Sequence, residues 1–243
     1  MSRPRCDLTL YLVTDTALSG GPDRVAQVAR DAVAGGATLV QVRDPDASDA
    51  DFLQIARSVV QALHGTGVPV VLNDRVELVE AAGADGAHVG QGDLSPERAR
   101  EILGPDRLLG LSCQTLAHVD AARQLAAGTL DYLGLGPVWD QATKPDAATP
   151  AGPEGIAALA AASPWPTVAI GGISAPRINE LPGTGVDGAA VVSAICAAPD
   201  PRQAAATLLA RWREAAARHT DSKGLTDPTD LTDPTDPTHE VTP

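Results

Sequence analysis

At 243 residues and 44% hydrophobic, the chain can bury a sizeable core, as one large α/β domain or two small ones. A formal net charge of −13 repels phosphate backbones and anionic lipid, and 2% aromatic content leaves almost no stacking platforms, which argues against nucleic acid and membrane as partners. The first residues, Met1 to Asp7, lack the apolar centre of a secretion signal, no run approaches membrane-spanning length, and Cys6, Cys113 and Cys196 have neither metal-ligand nor redox spacing, so the cytoplasm is the expected compartment.

Leu8 to Asp15 is a β-rich run ending in turn chemistry, and Asp23 to Ala34 follows with helical spacing. Thr38 to Arg43 is the next predicted strand, and Ser48 to Leu63 the next helix, with Phe52, Ile55, Val59 and Leu63 on one face. The unit recurs as Val68 to Asn73 with Arg75 to Ala82, Gly86 to Gly90 with Ser95 to Leu103, and Leu108 to Ser112 with Leu116 to Ala127. Three more follow: Tyr132 to Gly136 with Pro153 to Ala162, Thr167 to Ile170 with Ala175 to Leu181, and Gly188 to Val192 with Arg202 to Arg218.

Short continuous apolar strands alternating with amphipathic helices imply a parallel sheet covered by helices. Eight such units predict a closed (β/α)₈ TIM barrel over residues 1–219, with a doubly wound open sheet as the competitor. From Thr220 to the end, six acids and one base stand among repeated Thr-Asp-Pro triplets with almost nothing to bury, so residues 220–243 read as a disordered acidic tail.

A barrel places its chemistry at the C-terminal ends of the strands. In strand two the period of two turns Gln41 and Arg43 to one side and Val42 to the other. An inward arginine at that rim needs an anion and its planar fork suits phosphate, although Asp44 or Asp74 would also serve as ion-pair partners. Asn73 and Asp74 close strand three, and Asp93 lies just past strand four. Two carboxylates on one rim suit Mg²⁺ held together with substrate phosphate. Taken singly, each would serve as a helix cap, Asp74 for the helix from Arg75 and Asp93 for the one near Ser95.

His88 reads as a hydrogen-bonded core histidine, Cys113 as buried and inert, and Ser112 as a donor to an anion, since no base stands beside it in sequence. The connection from Pro137 to Gly152 is long enough for a lid. It carries Lys144, the only lysine before the tail, which could close on a pyrophosphate or remain a solvated loop charge. Gly171 and Gly172 after strand seven and Ser193 after strand eight occupy the usual phosphate position of this barrel. Two anion sites on one rim, with no paired acid and base, point to chemistry by positioning and by stabilising a departing pyrophosphate.

The runs Tyr-Leu-Val-Thr-Asp, Leu-Val-Gln-Val-Arg, Leu-Asn-Asp-Arg, Gly-Ala-His-Val-Gly-Gln-Gly-Asp, Tyr-Leu-Gly-Leu-Gly-Pro-Val, Thr-Lys-Pro-Asp-Ala, Ala-Ile-Gly-Gly-Ile and Val-Val-Ser-Ala-Ile stand in the order and spacing of thiamine-phosphate synthases. The resemblance covers about Leu8 to Ala210. It implies a transferase that joins 4-amino-2-methyl-5-hydroxymethylpyrimidine diphosphate to 4-methyl-5-(2-phosphoethyl)thiazole, releasing pyrophosphate first and forming thiamine phosphate, with Mg²⁺ as cofactor.

Carried over by position, Asp74 and Asp93 match the Mg²⁺ ligands. The run Gln41, Val42, Arg43, Asp44 and Pro45, together with Asn73, Ser112 and Lys144, matches the pyrimidine diphosphate site, with Arg43, Ser112 and Lys144 as its catalytic members. Gln141, Ala142, Thr143, Gly172, Val192 and Ser193 match the thiazole phosphate site. Three positions depart from the family pattern: Pro45 replaces a lysine, Gln141 a threonine, and Gln114 the histidine on which the related thiazole tautomerases rely for proton transfer. A tautomerase-like isomerase and a non-catalytic barrel that binds thiamine precursors are the alternatives, and monomer and homo-oligomer both stay open.

Overall fold

A computed structural model describes residues 3–140 and 149–224, in which eight parallel strands close into a barrel in sequence order. The strands are β1 (Leu10–Val13), β2 (Leu39–Val42), β3 (Val70–Asn73), β4 (Gly86–Val89), β5 (Leu108–Cys113), β6 (Tyr132–Leu135), β7 (Thr167–Ile170) and β8 (Gly188–Val191). The closing pair is β1 with β8, in the register Leu10 to Ala189. The open-sheet alternative is thereby excluded.

Alternation along each strand divides the core in two. Tyr11, Val13, Leu39, Val71, Leu108, Tyr132, Val168 and Ala190 fill the barrel interior, while Leu10, Leu12, Val40, Val42 and Leu72 pack outward against the helices. Helix α1 (Pro22–Ala34) buries Val25, Val28, Ala29 and Ala32, the three- and four-residue spacing of one helical face. Helix α2 (Asp49–Leu63) buries Phe52, Ile55, Ala56, Val59 and Leu63, and the Ser48 hydroxyl caps it by accepting from the Asp51 N–H.

The remaining helices are α3 (Val79–Ala82), α4 (Pro96–Leu103), α5 (Leu116–Ala122), α6 (Gly152–Ala162), α7 (Ser193–Cys196) and α8 (Pro201–Gly224). Three expected helices differ. The Arg75 to Ala82 helix opens as a 3-10 turn, Val76–Leu78, before α3. Helix α5 ends at Ala122 instead of 127, because Gln124 and Leu125 donate to carbonyls three residues back and tighten the chain out of the α-helix.

Between β7 and β8 no α-helix forms; the chain makes 3-10 turns at Arg177–Glu180 and Pro182–Thr184. Pro182 has no N–H to give, so helical hydrogen bonding cannot run on through it, and Leu181, itself αR, passes from the first 3-10 turn straight into the second. Helix α8 continues past residue 219 to Gly224, and residues 225–243 of the acidic tail lie outside the described residues.

Aspartates at the N-terminal rim tie neighbouring strands together. Asp85, before β4, accepts the Val70 N–H of β3 at 2.8 Å, Asp131, before β6, accepts the Leu109 N–H of β5 at 2.7 Å, and Asp187, before β8, accepts the Thr167 N–H of β7 at 2.8 Å. Asp131 also holds the guanidinium groups of Arg3 and Arg100. Conserving order at this rim serves stability, which leaves the opposite rim for chemistry.

Candidate active site

Inward side chains at the C-terminal ends of the strands enclose a cavity with two unlike halves. Gln41 and Arg43, Asn73, His88, and Ser112 with Gln114 make a polar half from β2 to β5. Val168 and Ile170, Ala190 and Val192, and Val13 make an apolar half from β7, β8 and β1. The pairs two residues apart are what the pleat dictates, and Val42 between Gln41 and Arg43 is fully buried on the helix side, where only its backbone can reach the rim.

Gln41 donates from Nε2 to the Tyr11 hydroxyl at 2.6 Å, and Tyr11 meets the Tyr132 hydroxyl at 2.8 Å. His88 lies between Tyr132, 3.1 Å from Nδ1, and Ser112, whose Oγ is 2.9 Å from Nε2. Ser112 thus has a histidine beside it after all. The pairing runs between β4 and β5 across 24 residues of sequence and could not be seen from neighbours along the chain. Cys113 faces the other way, fully buried, and burial pushes its thiol up to about 12, so it supplies no thiolate at neutral pH.

The two carboxylates expected to hold a metal do not cap helices. Ser95 is the N-cap of α4 and accepts from the Arg98 N–H, and the turn after β3 has Arg75 at its N-cap with no side-chain cap. Asp74 adopts a φ of 60°, a left-handed conformation that a non-glycine residue occupies at a cost of about 1–3 kcal/mol and that is concentrated at functional sites. Its N–H bonds the His88 carbonyl, and its carboxylate accepts from the Asn73 amide. Asp93 folds back to accept the Gly90 N–H at 2.8 Å. Both acids therefore stand at the neighbouring ends of β3 and β4, next to the polar half of the cavity.

Among the described residues no three acidic, histidine or cysteine side chains gather into a metal cage. Two carboxylates, leaving the other positions to water and substrate phosphate, fit Mg²⁺ better than a metal that wants an all-protein shell.

Arg43 forms no ion pair among the described residues, so the proposed partners Asp44 and Asp74 do not occupy it. Asp44 instead accepts the N–H groups of Asp46 and Ala47 and shapes the turn that contains Pro45. Arg75 clamps that turn: it donates to the carbonyls of Asp44 and Ala47, pairs with Asp49 at 3.0 Å, and lies 4.3 Å over the Phe52 ring. Arg75 is committed to the protein and is not available as a cation for an anion beside Pro45.

A second cavity adjoins the apolar half, sharing Ala190 and Val192, and is lined by Gly172, Ser174, Arg177 and Ser193. Gly171 and Gly172 have φ of 105° and 66°, and a Cβ on Gly172 would stand 2.6 Å from the Asp140 carbonyl oxygen and 2.8 Å from Trp139 Cβ. The glycine pair thus lets the loop after β7 pack on the loop after β6. Arg177 donates to the Gly172 carbonyl at 3.0 Å and lies 5.3 Å over the Trp139 ring, placing a cation beside Gly172 that the sequence reading did not single out. A helix was expected there; a 3-10 turn stands in its place, and Arg177, at the start of that turn, lines the cavity. Gln141, Ala142, Thr143 and Lys144 lie outside the described residues.

A sequence profile described as thiamine monophosphate synthase matches residues 10–195. The chain is 50% identical over 204 residues to a thiamine-phosphate synthase of a Psychrobacter species, covering 84% of this chain and 95% of that protein. It is 45% identical over 202 residues to the thiamine-phosphate synthase of Azorhizobium caulinodans, covering 83% and 93%. Among solved structures, a thiamine phosphate pyrophosphorylase from Pyrococcus furiosus superposes with a TM-score of 0.76 at 32% identity, over 86% of this chain and 97% of that one. With motifs, barrel and rim in agreement over the same residues, the chain belongs to the thiamine monophosphate synthase family.

Proposed function

We propose that the protein is a Mg²⁺-dependent thiamine-phosphate synthase that joins 4-amino-2-methyl-5-hydroxymethylpyrimidine diphosphate to 4-methyl-5-(2-phosphoethyl)thiazole and releases pyrophosphate. The observation that carries this reading is the division of one cavity into polar and apolar halves, with a second, cation-bearing cavity opening from the apolar side. The aminopyrimidine and its diphosphate suit Gln41, Arg43, Asn73 and Ser112. The less polar thiazole suits Val168, Ile170 and Val192, with its phosphate toward Gly172, Ser193 and Arg177.

Asp74 and Asp93 would hold Mg²⁺, which when bound supplies charge stabilisation to the departing pyrophosphate. Arg43 adds a guanidinium on the diphosphate side, and Lys144 is assigned there by the family pattern. The C–O bond to the pyrimidine methylene breaks with its electron pair leaving on pyrophosphate. The thiazole nitrogen, held across the cavity, then supplies the pair for the new C–N bond. Such chemistry needs orientation and exclusion of water more than an acid and a base. Gln114, a carboxamide that cannot take and return a proton, favours this transfer over a tautomerase reaction.

Pyrophosphate release from the purified protein tests the reading. Release is expected only with both substrates and Mg²⁺, and is lost with EDTA. Release unaffected by EDTA would overturn the metal assignment, and absence of thiamine phosphate under all conditions would overturn the synthase. Arg177→Ala is expected to raise KM for the thiazole phosphate about tenfold, the effect of one charge-assisted hydrogen bond, with KM for the pyrimidine unchanged. An unchanged thiazole phosphate KM would remove Arg177 from that site.

A further inference from the structure

Five polar side chains from five different strands are joined end to end across the barrel: Gln41 of β2, Tyr11 of β1, Tyr132 of β6, His88 of β4 and Ser112 of β5. The first four are buried, with exposures of 4%, 1%, 0% and 7%. A barrel interior is ordinarily filled by branched apolar side chains, and buried polar groups in their place are costly unless every one is satisfied. Glycines make the room. A Cβ at Gly110 would stand 2.2 Å from Tyr132 Cζ and 2.5 Å from His88 Nδ1, and one at Gly134 would stand 3.1 Å from His88 Cε1. Both open ends of this series, Gln41 and Ser112, line the cavity at the barrel mouth.

We infer that Tyr11, Tyr132 and His88 are positioning residues, a buried hydrogen-bond relay that holds Gln41 and Ser112 in one fixed donor pattern toward the pyrimidine substrate. The direction of the relay follows from counting hydrogens. With the Gln41 amide nitrogen on Tyr11, the Tyr11 hydroxyl accepts there and passes its own hydrogen to Tyr132. Tyr132 then donates to His88 Nδ1, which leaves the ring hydrogen on Nε2, directed at Ser112 Oγ. Ser112 accepts from the ring, so its own hydrogen turns away from the relay as a donor, while Gln41 keeps its carbonyl oxygen for substrate.

The reverse order would make Tyr132 donate to Tyr11 and Ser112 donate to His88. With the Gln41 amide nitrogen on Tyr11, the Tyr11 hydrogen would then have no acceptor at a side chain only 1% exposed, at a cost of about 1–3 kcal/mol. The reverse order is satisfied only with that amide turned to present its oxygen, which the His88 tautomer distinguishes. The favoured direction makes Ser112 a donor and denies it the role of nucleophile, because His88 presents a hydrogen to it and not a lone pair.

The substrate named for the two ends rests on the synthase reading, whereas the direction of the relay does not. Nitrogen-15 NMR of the full chain, labelled in histidine, reads the His88 tautomer without substrate or turnover. The Nε2-protonated tautomer is expected, and the Nδ1-protonated one overturns the proposal. Tyr132→Phe keeps the ring and breaks the relay: the tautomer signal should shift, and kcat/KM for the pyrimidine diphosphate should fall about tenfold, one misdirected hydrogen bond, with KM for the thiazole phosphate unchanged. Tyr11→Phe should lower the same kcat/KM while leaving the His88 tautomer as it was, since Tyr132 still donates to it. A Tyr132→Phe protein with unaltered tautomer and pyrimidine kinetics, or one that loses both substrates equally, overturns the relay. If the unsubstituted protein makes no thiamine phosphate, the synthase reading fails while the tautomer still decides the relay.

Discussion

Asp93→Ala is expected to lower Mg²⁺-dependent turnover by about 10³ or more while leaving the fold intact. A metal that neutralises charge on a leaving pyrophosphate contributes several kcal/mol to the transition state, and on the proposed assignment of Asp74 and Asp93 as its ligands, losing one of them forfeits most of it. The structural role of Asp93 is small by comparison. Its side chain is exposed and among the described residues bonds only the Gly90 N–H, and α4 nearby is capped by Ser95 and not by Asp93. Loss of that bond costs about 1 kcal/mol, or roughly 3 °C in Tm.

Asp93→Asn separates the two roles, because the amide oxygen can still accept from Gly90 while the negative charge is gone. Both variants should melt close to the unsubstituted protein and both should be inactive across a Mg²⁺ titration. Turnover within tenfold of normal in Asp93→Asn would show that the carboxylate shapes the loop and does not bind metal.

The largest effect on stability is expected at the opposite rim. Asp131 accepts from Arg100 at 2.9 Å, from Arg3 and from the Leu109 N–H, with its side chain 10% exposed. Asp131→Ala should destabilise the protein by about 3 kcal/mol, because removing one partner of a buried pair strands the other. Arg3 can turn to water, but Arg100 is held in place by the carbonyls of Gly104, Arg107 and Thr129, and the Leu109 amide is inside the barrel end. The corresponding fall in Tm is about 10 °C, with kcat and both KM values unchanged at a temperature where the variant is folded. A Tm within about 2 °C of normal would mean that the pairs are replaced by water at little cost.

Much of this architecture was legible because strand and helix periods are local. The alternation in Leu-Val-Gln-Val-Arg already turned Gln41 and Arg43 inward, and both line the cavity. Strand β7, Thr167–Ile170, was legible residue for residue. Legibility failed where a neighbour in space overrode the local pattern. The apolar spacing from Ala175 to Leu181 reads as a helix, yet the chain makes a 3-10 turn packed on α8, and Arg177 on that turn lines the second cavity. Taken singly, Asp74 and Asp93 read more readily as caps, and only the assignment of the cap to Ser95, with no side-chain cap after β3, freed them from that role.

By itself the sequence determined the eight-fold alternation, the inward side of strand two, and which residues stand at strand ends, since each depends on spacing along the chain. Tertiary structure alone decided that His88 meets Ser112, that Tyr11 meets Tyr132 across 121 residues, and that Arg75 is spent on the turn after β2. These are contacts between strands whose register is set by closure of the barrel, a property of the whole ring of hydrogen bonds and of no single segment.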